Sequence, residues 1–271
     1  MRIGKYNLDL EHQGYIMGIL NVTPDSFSDG ARYQSMDAAL FQTEKMIREG
    51  AAIIDIGGES TRPGHEKITD EEETERVVPV IEAVKERFDV PVSLDTYKYA
   101  VAKAGLAAGA DMINDIWGLK WDDRLAALLA ENGAACCLMH NRKQADYQDY
   151  LKDFMEDMRE TLRIADAAGI SREKIMLDPG VGLGFAKSCE QNLSIIRHLD
   201  ILKEFGLPVL LGTSRKSVIG AVLDLPVDER EEGTMATTVI GRMKGAAVFR
   251  VHDVEKNYRA MKMAEAILAA E

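Results

Sequence analysis

Short apolar runs alternate with longer amphipathic stretches along the whole chain. The apolar runs are rich in β-branched residues and predict strands over residues 15–20, 51–56, 90–94, 111–113, 134–139, 174–177, 207–211 and 246–249. Between them, apolar positions recur three and four residues apart, the spacing of one helix face. Residues 72–88 carry Val77, Val80, Ile81 and Val84 this way; residues 151–168 carry Leu162 and Ala165; residues 253–270 carry Met261, Met263, Ile267 and Leu268. Gly-Ala pairs begin at Gly50, Gly109, Gly133 and Gly245, each where a helix should end and a strand begin. Glycine suits that step because it accepts the left-handed conformation that closes a helix. Eight repeated strand–helix units in roughly 250 residues predict an α/β fold, a closed (β/α)8 TIM barrel. A doubly wound open sheet is the competing arrangement. Residues 2–11 read as a short N-terminal hairpin across the bottom of the barrel, with its turn near Asn7. No linker or change of composition divides residues 1–271, so one domain is expected.

A barrel of this kind carries its chemistry at the C-terminal ends of its strands. Asn21 follows the first run and opens a polar loop, Asn-Val-Thr-Pro-Asp-Ser-Phe-Ser-Asp-Gly. The second run leads into Gly-Gly-Glu-Ser-Thr-Arg-Pro-Gly at residues 57–64. Then come Asp95 and Thr96, Asn114 and Asp115, His140, the Asp178-Pro-Gly turn, Ser214-Arg-Lys-Ser217, and finally Arg250 and His252. Taken singly these have plain explanations. An Asp after a strand caps helices, Asn closes turns, and an Arg-Lys pair can be a solvated helix start. His140, on an apolar strand, reads as a packed histidine. The glycines at 180, 182 and 184 lack dinucleotide-fingerprint spacing. On one rim, however, Asp95, Asn114 and Asp178 would stand beside Lys216, Arg250 and His252, with Arg62 reaching in. Carboxylates and an amide suit a heterocycle rich in N–H donors; the cations suit a separate anionic group.

The net charge of −12 sharpens this reading and argues against nucleic acid as a partner. Cations at strand ends of an acidic chain call for a local anion. Hydrophobic residues make up 46% of the chain, yet no apolar run reaches the ~20 residues of a membrane helix, and no signal peptide is evident. Cys136, Cys137 and Cys189 form no Cys-x-x-Cys pair. Adjacent Cys136 and Cys137 should face opposite sides of a strand, as buried thiols of a reducing cytoplasm.

The ordered motifs at residues 21–30, 57–64, 93–96, 113–115, 178–180, 214–217 and 250–252 resemble dihydropteroate synthase, a folate-pathway enzyme. The resemblance implies a transferase. It would condense 6-hydroxymethyl-7,8-dihydropterin diphosphate with 4-aminobenzoate to give 7,8-dihydropteroate and diphosphate. It implies a pterin pocket of Asp95, Asn114, Asp178 and Lys216. It implies diphosphate held by Thr61, Arg62, Arg250 and His252, magnesium at Asn21, and 4-aminobenzoate near Pro63 and Ser217. Asp95, Asp178, Lys216 and Arg250 would carry the chemistry. It also implies a homodimer, for which Met235, Met243, Met261 and Met263 could supply either core or interface. Two departures stand out: Leu183-Gly184 precedes Phe185-Ala-Lys187, and Ala31 follows Gly30 where a second glycine is common. Two rivals share the barrel: a pterin-binding methyltransferase domain using methyltetrahydrofolate, and a non-catalytic pterin-binding barrel. The first has no use for the Arg62, Arg250 and His252 cluster; the second would not keep residues 21–30.

Overall fold

The structure, a computed structural model, describes residues 1–22, 32–59, 67–182, 184 and 186–270. After a hairpin of β1 (Arg2–Ile3) and β2 (Tyr6–Asn7), strands and helices alternate. They run β3 (Tyr15–Asn21), α1 (Arg32–Arg48), β4 (Ala51–Gly57), α2 (Asp70–Arg87), β5 (Val92–Asp95) and α3 (Tyr99–Ala107). Then follow β6 (Met112–Asp115), α4 (Arg124–Asn132), β7 (Ala135–Met139), α5 (Tyr150–Ala168), β8 (Ile175–Asp178) and α6 (Cys189–Arg197). The chain ends with β9 (Leu210–Leu211), α7 (Ser217–Leu223), α8 (Glu231–Met243), β10 (Val248–Val251) and α9 (Val254–Leu268).

Strands β3 to β10 form one parallel sheet in the order β8-β7-β6-β5-β4-β3-β10-β9. A parallel bridge between Leu177 and Val209, with Leu177 N donating to Pro208 O at 2.9 Å, joins the two outer strands and closes the ring. This is the (β/α)8 barrel that the alternation predicts, not the open sheet.

Several strands extend further toward the rim than the apolar pattern indicates. Asp95, Asn114, Asp178 and Arg250 are strand residues, because the backbone ladder continues past the last apolar side chain. Asp95 pairs with Asn114, and Met139 with Asp178. The expected strand over 207–211 shrinks to Leu210–Leu211; Pro208 has no N–H to give a ladder. The hairpin is present, but its turn is Gly4-Lys5 and Asn7 pairs with Arg2.

Side-chain alternation divides the core in two. Ile16, Ile54, Ile56, Leu94, Ile113, Cys136 and Leu138 face the helices. Met17, Ile53, Met112, Cys137, Met176, Leu210 and Val248 fill the barrel interior, and Ile3 and Leu10 plug its floor. Cys136 and Cys137 therefore lie on opposite faces, as expected. Helix ends follow local chemistry: Thr69 caps α2 by accepting from Glu72 N at 3.1 Å, and Gly133 and Gly169 end α4 and α5 in left-handed conformations. In α9, Met261 is core, whereas Met263, Ile267 and Leu268 are exposed, as is Met243 in α8.

Candidate active site

The parity that fills the barrel interior also builds its upper rim. Continuing each inward series in steps of two residues leads from Met17 to Asn21, from Ile53 to Asp55 and Gly57, and from Ser93 to Asp95. The same step leads from Met112 to Asn114, from Met176 to Asp178, from Leu210 to Gly212, and from Val248 to Arg250 and His252. Residues far apart in the chain thus reach one mouth.

Arg250 is the hub. Its Nε donates to Asp55 Oδ2 at 2.6 Å and its Nη2 to Asp95 Oδ2 at 2.6 Å. Asn114 Nδ2 donates to the same Asp55 oxygen at 3.3 Å. Burial works against the Arg250 charge, but Asp55 and Asp95 outweigh it and raise the guanidinium pKa. Burial also pushes the Asp95 carboxyl up to about 7, against the pull of Arg250. The ion pair is short, yet desolvation dominates: a carboxylate loses more hydration there than one shared guanidinium returns.

Asp178, 4% exposed, faces this cluster from β8. Gly180 N donates to its Oδ1 at 2.7 Å. Its Oδ2 lies 3.8 Å from the point where a Gly212 side chain would begin; Lys216 Nζ is 3.8 Å and Arg250 Cβ 3.7 Å from the same point. Glycine at 212 therefore leaves open the ground between these groups. Burial raises the Asp178 pKa, with Lys216 opposing, and lowers that of Lys216 to about 8, with Asp178 opposing. Lys216 Nζ donates to Val181 O at 2.5 Å. His252 is held at the rim by Ser214, whose Oγ lies 2.9 Å from its Nδ1 and accepts from its backbone N at 3.1 Å. Ser217 opens α7, half-buried.

Asn21 ends β3, exposed. A Cβ on Gly57 would sit 3.8 Å from Asp95 Oδ2 and 4.0 Å from Asn21 Oδ1. The bare glycine thus leaves a point bordered by one carboxyl and one amide oxygen. No group of three His, Cys, Asp or Glu side chains able to hold a metal occurs among the described residues. A hard cation keeping most of its shell as water or phosphate oxygen suits such sparse donors.

The structure brings together Asn21, Asp95, Asn114, Asp178, Lys216, Arg250 and His252. Thr61, Arg62 and Pro63, residues 23–30, and the Leu183 and Phe185 pair lie outside the described residues. His140 is packed as expected: its Nε2 meets Asp157 Oδ2 at 2.8 Å, and burial lowers its pKa to about 4. Sequence reasoning missed Asp55. The signal was a carboxylate inside an apolar run, sharing parity with Gly57, and such a buried charge needs a partner. It also missed a cluster at the root of the loop after β4. Glu59 accepts from Lys98 Nζ at 2.7 Å, Tyr97 Oη at 3.0 Å and Ile68 N at 3.2 Å, while Lys98 also meets Glu73 at 2.7 Å.

The pterin binding enzyme family model matches residues 17–252. A dihydropteroate synthase of Clostridium beijerinckii is 54% identical over 269 residues, spanning 99% of each chain. That of Bacillus subtilis is 51% identical over 261 residues, covering 96% of this chain and 91% of its own. Among solved structures, the Clostridium difficile dihydropteroate synthase crystallised in the presence of pteroic acid has a TM-score of 0.93 at 46% identity, covering 97% of this chain and all of that one. The Yersinia pestis dihydropteroate synthase in complex with a sulfonamide drug has a TM-score of 0.92 at 42% identity, covering 100% and 99%. Their names favour the synthase over the methyltransferase alternative. With the family model spanning the barrel and relatives matching from end to end, the chain belongs to the pterin-binding enzymes and, among them, to the dihydropteroate synthases.

Proposed function

We propose that the chain condenses 6-hydroxymethyl-7,8-dihydropterin diphosphate with 4-aminobenzoate, releasing 7,8-dihydropteroate and diphosphate. The observation that carries this is the convergence of Asp95, Asn114, Asp178, Lys216 and Arg250 at one barrel mouth. Asp95 and Asp178 accept from the N–H groups of the pterin, Asn114 and Lys216 orient the ring, and Arg250 and His252 meet the diphosphate. Thr61 and Arg62 join the diphosphate contacts, and Pro63 and Ser217 border the aminobenzoate.

The chemistry is substitution at the pterin methylene. The carbon–oxygen bond to diphosphate breaks, the amine nitrogen bonds to the same carbon, and the nitrogen then loses a proton to solvent. As the leaving group departs, positive charge spreads over methylene and ring. Asp95 and Asp178 are fixed beside that charge before it forms, so little reorganisation is needed. Arg250, aimed by Asp55, receives charge on the departing oxygens. The arylamine is neutral at pH 7, so its nucleophilicity needs no strong base. Magnesium at Asn21, beside Gly57, would supply further charge neutralisation for the diphosphate.

The setting proposed is the cytoplasm. Among the described residues no helix is long and apolar enough to cross a membrane, and the buried Cys136 and Cys137 are free thiols. A homodimer is proposed from Ile240 and Met243 on α8 and Met263, Ile267 and Leu268 on α9, apolar side chains that face solvent in the single chain. The test of the reaction is direct assay of dihydropteroate from the two substrates, with and without magnesium. Product that depends on both substrates and rises with magnesium is expected. No product with both substrates and magnesium present would refute the proposal.

A further inference from the structure

Lys187 is a buried cation that the reaction above does not use. It is 4% exposed, in the stretch between β8 and α6. Its Nζ donates to Gly180 O at 3.0 Å and to His140 O at 3.3 Å. These carbonyls belong to different βα units, one just after β7 and one in the turn after β8. They converge because Gly180 packs against the backbone of His140, just after β7. Its φ is +68°, and a Cβ there would lie 2.1 Å from His140 O, inside any tolerable contact. The Lys187 ammonium donates to both carbonyl oxygens and so links the two units.

The turn so fixed carries Asp178. Gly180 N donates to Asp178 Oδ1 at 2.7 Å, and His140 N donates to Asp178 O at 2.9 Å. The next residues are held too: Lys216 Nζ meets Val181 O, and Gly182 N meets Asn192 Oδ1 at 2.7 Å. The far anchor is equally firm. His140 is pinned by Asp157 of α5, and Arg142 Nε donates to the same carboxylate oxygen at 2.6 Å. A chain of contacts therefore runs from α5 through His140 and Lys187 to the Asp178 turn.

We propose that Lys187 is a positioning residue for pterin recognition, tying the end of β7 to the Asp178–Gly180 turn so that the Asp178 carboxylate is aimed into the barrel mouth. This rests on the pterin-condensing reading of the site. Burial lowers the Lys187 pKa to about 7, with Asp178 opposing, so the ammonium is held at a cost in hydration. A side chain needed only to fill space there would be apolar.

The test replaces Lys187 by Met, which keeps the length and removes the donors and charge. Calorimetric affinity for 6-hydroxymethyl-7,8-dihydropterin diphosphate, KM for each substrate, kcat and melting temperature are measured for native and variant chains. Pterin affinity should weaken about tenfold, the scale of one misaligned hydrogen bond to a charged group. The KM for 4-aminobenzoate should stay within twofold, and Lys187→Arg should recover most of the pterin affinity. A Met variant that melts lower but binds the pterin within twofold of native would reduce Lys187 to packing and overturn the proposal. If the Met variant does not fold, Lys187→Gln, which keeps an N–H donor without the charge, undergoes the same comparison under the same criterion. Native chain that makes dihydropteroate beside an unaffected variant defeats this inference alone; native chain that binds no pterin defeats the functional reading and this inference with it.

Discussion

Asp95→Asn exchanges a carboxylate for an amide of nearly the same shape, at the point where charge matters most to the proposed reaction. An Asp placed in a loop could be changed with little effect on folding. Here Asp95 ends a strand, and its side chain is 9% exposed and bonded to Arg250 at 2.6 Å, so the loss of an ion pair would by itself lower stability. The pKa argues otherwise. It is raised from 3.8 to about 7, so the folded chain holds a proton that the unfolded chain releases. The stability contributed by that proton is complete below the unfolded value and is lost as pH rises through about 7. Between pH 5 and pH 8 the native chain should lose about 3 kcal/mol from this group, a loss Asn cannot suffer. For 271 residues, at about 2 cal/mol/K each, the unfolding entropy near the midpoint is about 0.6 kcal/mol/K, so the loss corresponds to about 5 °C. The Asn variant should therefore gain about 5 °C on the native chain when calorimetric melting is repeated at pH 8 instead of pH 5. Arg250 keeps Asp55 as a partner throughout. Activity should move the other way, kcat falling ~10²–10³-fold with the loss of one preorganised charge. The rise of native kcat/KM through about pH 7, where Asp95 ionises in the free enzyme, should vanish in the variant. A melting gap that is constant with pH, or that widens in favour of the native chain, would show that the ion pair outweighs desolvation. Unchanged kcat/KM would remove Asp95 from the chemistry.

Arg250→Ala leaves Asp55 and Asp95 facing each other without their cation. About 3–5 kcal/mol of stability should go, some 5–9 °C by the same entropy, and KM for the pterin diphosphate should rise more than KM for 4-aminobenzoate. Equal effects on the two substrates would make Arg250 structural. Light scattering should give twice the 30.0 kDa chain mass, and Met243→Glu, at a side chain 59% exposed on α8, should shift it toward one chain. A native mass of 30.0 kDa would refute the dimer.

Most of the fold was legible because a parallel barrel writes itself as apolar runs separated by helices. The chain ends of those runs were less legible. Asp95, Asn114, Asp178 and Arg250 interrupt hydrophobicity but not backbone pairing, so the pattern places them in loops while the ladder keeps them in strands. Parity was the better guide. Counting by two from Met17, Ile53, Met112, Met176 and Val248 reaches Asn21, Asp55, Asn114, Asp178 and Arg250 without any motif. Asp55 is hidden from a motif reading because it lies within an apolar run and not after one. The Lys187–His140 and Glu59–Lys98 contacts are hidden because each joins neighbouring units, and no local spacing records contacts between βα loops.

Burial gives the rim its chemical character. It raises Asp95 and Asp178 and lowers Lys216, in each case disfavouring the charged form, and opposite charges nearby restore only part of the lost hydration. Carboxylates placed this way hold ionisation in reserve for a partner that donates hydrogen bonds, and cations for one that accepts them. A pterin bearing a diphosphate offers both kinds of group on one rigid frame. Net stabilisation of the bound complex then comes from groups that destabilise the free chain, which is why substituting a rim carboxylate such as Asp95 should separate activity from stability, where substitutions in the two cores, or removal of the Arg250 cation that offsets two carboxylates, would lower both together.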